Sequence, residues 1–165
     1  MIKLKSELIN LKLVEIEDSE FIFNLRQDKE LNKYISPTSE NLSSQKKWIE
    51  SYLEREKKQK EFYFIVQNKK EKPCGTVRIY NIDKTKRECT WGSFILDKSR
   101  PDKAASEVMR LTLEFIFEIL ELNKVLLDVY KENKKAIYIY EKSGFKKYKD
   151  DDKNYYYEKM KEDNH

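Results

Sequence analysis

Apolar and polar residues alternate along some stretches of this chain and recur every three to four positions along others; the two periods separate strands from helices. Residues 9–16 (INLKLVEI) alternate, as a strand with one buried face does. Phe21, Ile22 and Leu25 then share one helical face. Asp18 before them is a candidate N-cap, so a helix is predicted to about residue 28. Residues 34–41 (YISPTSEN) show no period and contain Pro37, which reads as a loop. A second helix opens at Asn41 or Ser43, turns Trp48, Ile49, Tyr52 and Leu53 inward, and runs to about residue 58.

Three strand-like runs follow, at residues 61–67 (EFYFIVQ), 74–80 (CGTVRIY) and 87–96 (RECTWGSFIL). The polar turns between them are short, which predicts an antiparallel meander. Val108, Leu111, Phe115, Ile119 and Leu122 keep a 3.6-residue stripe and predict a helix over residues 104–122. Residues 124–129 (KVLLDV) form a strand. Asn133 caps a last helix, and Gly144 ends it as a left-handed residue. Residues 146–148 and 155–160 close a hairpin across the turn at 149–154. The order β-α-α-β-β-β-α-β-α-β-β describes an α+β chain with one mixed sheet and helices on both faces. No repeat or linker divides it, and 165 residues suit one domain.

Composition narrows the chemistry. The only histidine is His165, which removes His-based triads and most zinc sites, so no metal is expected. Cys74 and Cys89 belong to no C-x-x-C pair and read as buried, reduced thiols. Of the 34 basic residues six are arginine; the lysines are spread along every segment beside 30 acidic residues. That pattern describes a solvated surface rather than a nucleic-acid face, because bidentate reading of phosphates and bases favours arginine. No apolar run reaches the ~18 residues of a membrane span, and the first residues (MIKLKSELINLKL) hold no signal-peptide core. A cytoplasmic protein without nucleic-acid or membrane partners is expected.

The most specific motif lies in residues 126–145, LLDVYKENKKAIYIYEKSGF, which read as strand, turn, helix and glycine stop. Its pattern N-x-x-A-x-x-x-Y-x-x-x-G-F spans Asn133, Ala136, Tyr140, Gly144 and Phe145. At about 100° per residue, Tyr140 lies two helical turns beyond Asn133 on the same side. This segment resembles the coenzyme-binding helix of the GNAT family of N-acetyltransferases, and the element order is similar to that family over nearly the whole chain. The opening, LKLVEIEDSEFIFNLRQDKELNKYIS, and the phrase WGSFIL resemble the subgroup that acetylates protein N-termini and nucleotide-linked amino sugars. The resemblance implies a single acetyltransferase-like domain over residues 1–165, with acetyl-CoA as co-substrate.

Acetyl transfer from a thioester to an amine requires a neutral amine, a donor for the developing oxyanion and a proton for the departing thiolate. A phenol near pKa 10 protonates a thiolate of pKa about 8.5 downhill. The resemblance therefore makes Tyr140 the general acid; by spacing alone it is a core tyrosine. Asn133 is a cap on local physics and, by resemblance, a partner of the pantetheine arm. Lys134 and Lys135 beside it read as phosphate contacts or as solvated lysines. The backbone at Phe94, Ile95 and Leu96 is expected to meet the pantetheine amides.

The family carries a basic residue and then glycines at the turn into the long helix, where N–H groups cradle the pyrophosphate. Here the turn is Ser99-Arg100-Pro101-Asp102-Lys103-Ala104-Ala105-Ser106. Arg100, Lys103, Ala104, Ala105 and Ser106 are the expected phosphate site, with Lys103 and Ala105 in the glycine positions. That departure leaves open a non-catalytic coenzyme-binding module.

The base is Glu88, which shares a strand face with Thr90 and Gly92, or Asp128 on the following strand, or water alone. Ser93 is a candidate donor to the thioester oxygen. Arg26, Tyr34, Trp48 and Thr90 are candidates to line the acceptor pocket between the first two helices and the final hairpin. The triplet Asp150-Asp151-Asp152 reads as a solvated turn or as a lure for a cationic amine. No Cys, Ser or His is arranged as an activated nucleophile, so attack is expected to be direct. The resemblance leans toward a nucleotide-linked amino sugar of bacterial surface-glycan synthesis, with a protein N-terminal amine second. The edge of the C-terminal hairpin offers a surface for a homodimer.

Overall fold

The protein is described by a computed structural model that covers residues 2–33 and 41–162. Tyr34, the Pro37 loop and His165 lie outside the described residues. Eight strands form one sheet: β1 (Lys3–Lys5), β2 (Ile9–Leu13), β3 (Phe62–Asn68), β4 (Pro73–Asp83), β5 (Glu88–Leu96), β6 (Lys124–Tyr130), β7 (Lys146–Asp150) and β8 (Asn154–Met160). Their spatial order is β1-β2-β3-β4-β5-β6-β8-β7. Every neighbouring pair is antiparallel except β5–β6. The helices are α1 (Ser19–Gln27), α2 (Leu42–Lys57), α3 (Ala104–Glu114) and α4 (Lys134–Lys142). The predicted order holds, with β1 added at the front; a three-residue Lys-Leu-Lys strand is too short to carry a readable period.

Two buried clusters divide the sheet. On one face Leu11, Phe64, Ile79, Trp91, Val125, Leu127 and Tyr157 pack with Val108 and Phe115 of the long helix and with Tyr140 and Phe145. On the other, Ile22 of α1 and Ile49 and Tyr52 of α2 pack with Tyr63 and Ile65 of β3. Thr90 and Gly92 of β5, Leu126 and Asp128 of β6, and Tyr156 and Glu158 of β8 belong to neither cluster. The second face is therefore free of helical packing from β5 to β8 among the described residues.

Two local expectations are corrected. Asp18 does not cap α1 with its side chain. Its carboxylate instead accepts the Glu15 N–H at 2.8 Å, closing a 3-10 turn over Ile16–Asp18, and pairs with Lys12 at 2.9 Å. The predicted stripe over residues 104–122 fails at Ile119, which is 65% exposed. After Glu114 the helix widens into a π-turn, Phe115–Ile119, with Leu120 N–H donating to the Phe115 carbonyl at 2.9 Å. A π-turn advances by a smaller angle per residue, so Ile116 and Phe117 take the buried side and Ile119 turns out.

Asn41 caps α2 by accepting the Ser44 N–H at 2.8 Å. Gly144 ends α4 at φ +97°, with Gly144 N–H on the Glu141 carbonyl and Phe145 N–H on the Tyr140 carbonyl. That pair of bonds is a Schellman closure, and glycine is the residue that adopts its left-handed position without strain. No helix among the described residues is long and apolar enough to cross a membrane.

Candidate active site

Strands β5 and β6 pair only at Glu88↔Lys124, Cys89↔Val125 and Thr90↔Leu126. Beyond Thr90 both strands continue, to Leu96 and to Tyr130, without pairing to each other. On its other side β5 pairs with β4, where Ser93 and Phe94 together oppose Val77 and Ser93 adopts φ +49°. This bulge bends β5 away from β6. The result is a wedge between two parallel strands, with the β6 side of β5 unpaired along Ser93–Leu96.

Tyr140 stands at this wedge. Its ring is 8% exposed and meets Trp91 edge-on, centroids 5.6 Å apart, with Phe145 behind it at 6.1 Å. Its hydroxyl makes no hydrogen bond among the described residues, yet it is not sealed from solvent. Burial raises the Tyr140 pKa, and the charge of Asp128 raises it further, so the phenol holds its proton. Asp128 is exposed on β6 opposite Tyr156. Its charge also contributes to raising Tyr80, Tyr148 and Tyr156, each shifted mainly by other causes.

Thr90 sits at the last β5–β6 pair, beside the wedge. Glu88 lies two residues earlier, where it opposes Asp83 and Lys124, and its charge is felt by Cys89 and Tyr148 rather than by Tyr140. The structure thus places Tyr140, Asp128 and Thr90 beside the wedge and Ser93 at the bulge that opens it, with Glu88 about 7 Å back along the strand from Thr90. The Ser93 carbonyl accepts the Thr76 hydroxyl at 3.2 Å. Arg26 is half-buried in the last turn of α1. Trp48 is partly buried on α2, stacked with Tyr52 at 6.1 Å. Both cysteines are buried thiols, pushed up to about 11 for Cys74 and about 12 for Cys89, chiefly by burial. The acidic triplet is engaged locally: Asp150 pairs with Lys131 at 2.8 Å, and Asp151 accepts the Asn154 N–H and the Tyr156 hydroxyl at 2.7 Å.

At the turn into α3, Lys103 is the N-cap at φ +66°, the left-handed conformation in which glycine is favoured. Ala104 is buried, and its N–H donates to the Pro101 carbonyl at 3.2 Å. The N–H groups of Ala105 and Ser106 make no hydrogen bond among the described residues, as expected of a first helical turn that can receive an anion. Arg100 folds back, donating to the Asp97 carbonyl at 3.0 Å. Asn133 caps α4 by accepting the Ala136 N–H at 3.3 Å, and Lys134 and Lys135 are exposed beside it.

Comparison with known proteins fits this geometry. The acetyltransferase (GNAT) domain family matches residues 9–146. The chain belongs to the GNAT family. It is an acetyl-CoA-dependent N-acetyltransferase, as that domain and the N-acetyltransferases among its relatives indicate. It is 36% identical to apo FdhC, a nucleotide-linked sugar GNAT, with a TM-score of 0.89 over 96% of this chain and 90% of that one. The acetyltransferase PseH of Campylobacter jejuni is 25% identical and aligns over 98% of this chain and 95% of its own. The spermidine N(1)-acetyltransferase of Vibrio cholerae is 27% identical over 83% of this chain and 78% of its own.

Three residues that the sequence reading passed over flank the site: Glu61, Arg78 and Tyr80. A signal was present. In the strand CGTVRIY, Arg78 and Tyr80 alternate with Val77 and Ile79, so both had to face away from the main core.

Proposed function

We propose that this GNAT transfers the acetyl group of acetyl-CoA to the primary amine of a nucleotide-linked amino sugar, by direct attack. The observation that carries the acceptor is the similarity to FdhC, at 36% identity across nearly both chains. Pantetheine lies in the β5–β6 wedge, along the backbone of Phe94, Ile95 and Leu96, with Asn133 at its side. The pyrophosphate meets the N–H groups of Ala105 and Ser106, with Lys103 and Arg100 supplying charge. Lys103 already holds the left-handed turn that glycine provides elsewhere in the family, so the missing glycines do not remove the cradle.

The acceptor amine approaches from the open face, where Asp128 or a water beside it takes the amine proton. The nitrogen forms its bond to the thioester carbon, and the carbon–sulfur bond breaks. Tyr140 gives its proton to the departing thiolate. Thr90 and Ser93 border the reacting carbon.

The test incubates the protein with acetyl-CoA and panels of 3-amino and 4-amino nucleotide sugars, spermidine and peptide N-termini, following thiol release. Acceptor-dependent release with the nucleotide sugars supports the proposal. Turnover confined to spermidine or to peptides overturns it, and coenzyme binding without turnover on any panel makes the protein a binding module.

A further inference from the structure

At the border of the open face, where α2 meets β3 and β4, lies a cationic cluster built around one buried carboxylate. Glu61, just before β3, is 4% exposed. Its Oε1 accepts Arg55 Nε at 2.9 Å and its Oε2 accepts Arg78 Nε at 2.7 Å. Both guanidinium groups lie 5.1 Å from the Trp48 ring, and that of Arg78 also lies 4.2 Å from the Tyr80 ring. Two cations on one carboxylate leave a net positive charge. One arginine would have sufficed to pair Glu61, and arginine keeps its charge at every working pH.

Arg78 spends only its Nε–H on Glu61. Its terminal N–H groups make no hydrogen bond among the described residues, while its side chain is 21% exposed. Trp48, Tyr80 and Glu61 fix the plane of the fork. A planar fork held in advance, with its outer donors unspent, is the geometry that takes a phosphate in a bidentate grip.

The place matters as much as the chemistry. Arg78 opposes Gly92 across β4–β5, and Tyr80 opposes Thr90. The hydroxyl edge of Tyr80 comes so near Gly92 that an added Cβ there would sit 3.3 Å from it. Tyr80 therefore carries Arg78 on its face and touches Gly92, beside the wedge, with its edge. The Tyr80 ring thus lies between the Arg78 guanidinium and Gly92 of β5.

We infer that Arg78, held by Glu61 and stacked between Trp48 and Tyr80, is the receptor for the diphosphate of the acceptor. Arg78 is the binding residue, and Glu61 is a positioning residue. The inference rests on the nucleotide-sugar reading for its ligand but can be tested apart from it.

The test titrates uridine diphosphate calorimetrically into the wild type and into Arg78→Lys, both saturated with CoA to occupy the coenzyme's own phosphate site. Lysine keeps a charge beside Glu61, and thermal melts verify folding. Dissociation constants are expected to rise about 10- to 100-fold in Arg78→Lys. Glu61→Gln, which leaves both arginines but frees the fork, should weaken the diphosphate while the KM for acetyl-CoA holds. Equal binding to wild type and Arg78→Lys, or no binding to the wild type, overturns the inference. If binding depends on Arg78 but no nucleotide-linked amino sugar is acetylated, the anion site stands and the acceptor reading falls.

Discussion

Trp91 meets Tyr140 edge-on, with ring centroids 5.6 Å apart and planes at 80°. Trp91 is itself fixed, because its indole N–H donates to the Thr112 hydroxyl on α3 at 2.8 Å, deep in the core. The long helix, packed in the same buried cluster, thus holds the wall against which the phenol at the wedge is set. Thr112→Val keeps the shape but strands a buried indole N–H, at a cost of about 1–3 kcal/mol. The expected result is a Tm lower by several degrees and a lower kcat, with Thr112→Ser restoring both. Thermal melts and steady-state kinetics on the two variants check it.

Tyr140→Phe keeps the ring that packs on Trp91 and Phe145 and removes only the hydroxyl. Loss of a general acid should lower kcat by about 10²-fold while the KM for acetyl-CoA holds. Burial and the Asp128 charge raise the Tyr140 pKa, so the wild-type rate should show no alkaline limb from this phenol below its ordinary value near pH 10. Asp128→Asn removes the nearby negative charge and should lower kcat by a separate route. Wild-type turnover in Tyr140→Phe would reduce Tyr140 to packing.

The fold was legible because most elements carry long, clean periods: residues 62–68 and 88–96 as strands, α2 and α4 as capped amphipathic helices. The π-turn was not legible, because Phe115, Ile119 and Leu122 satisfy the α-helical period on paper and only packing of Ile116 and Phe117 reveals the shift. The strand–turn–helix that carries the candidate thiol end was legible from Asn133, Tyr140 and Gly144, which cap, line and close one helix. The Glu61–Arg78–Tyr80 cluster was not, since Glu61 lies just before β3 and Arg78 and Tyr80 lie on β4, and no motif links them. Asp128 and Tyr140 likewise lie on different elements, β6 and α4, and no spacing rule could have ranked Asp128 against Glu88.

Lys103 adopts φ +66° at the N-cap of α3, a conformation that costs a non-glycine residue about 1–2 kcal/mol. Lys103→Gly relieves that strain and gives back part of the gain through the freedom of the unfolded chain. The Tm should therefore hold or rise slightly, whereas Lys103→Val, with a β-branched side chain in the same conformation, should lower it. Thermal melts of the three proteins decide it; a large loss in Lys103→Gly would mean that the lysine side chain, and not the turn, matters there.

Stability should fall on the alkaline side in two stages. Burial holds Cys74 up to about 11 and Cys89 up to about 12, and it raises Tyr52, Tyr140 and Tyr157 above the ordinary phenol value. Below about pH 8.5 both folded and unfolded chains keep these protons, and the contribution to stability is complete. Above it the unfolded thiols ionise first and the unfolded phenols follow near pH 10, while the folded groups stay protonated. The unfolded state then binds fewer protons, so the unfolding free energy declines as pH rises, through the folded values near 11 and 12. Denaturant melts at intervals from pH 7 to 11 should show a plateau, then a decline starting near 8.5 and steepening past 10. Replacing both cysteines by alanine should lower the plateau and move the start of the decline toward pH 10; an unchanged onset would place its origin outside the thiols.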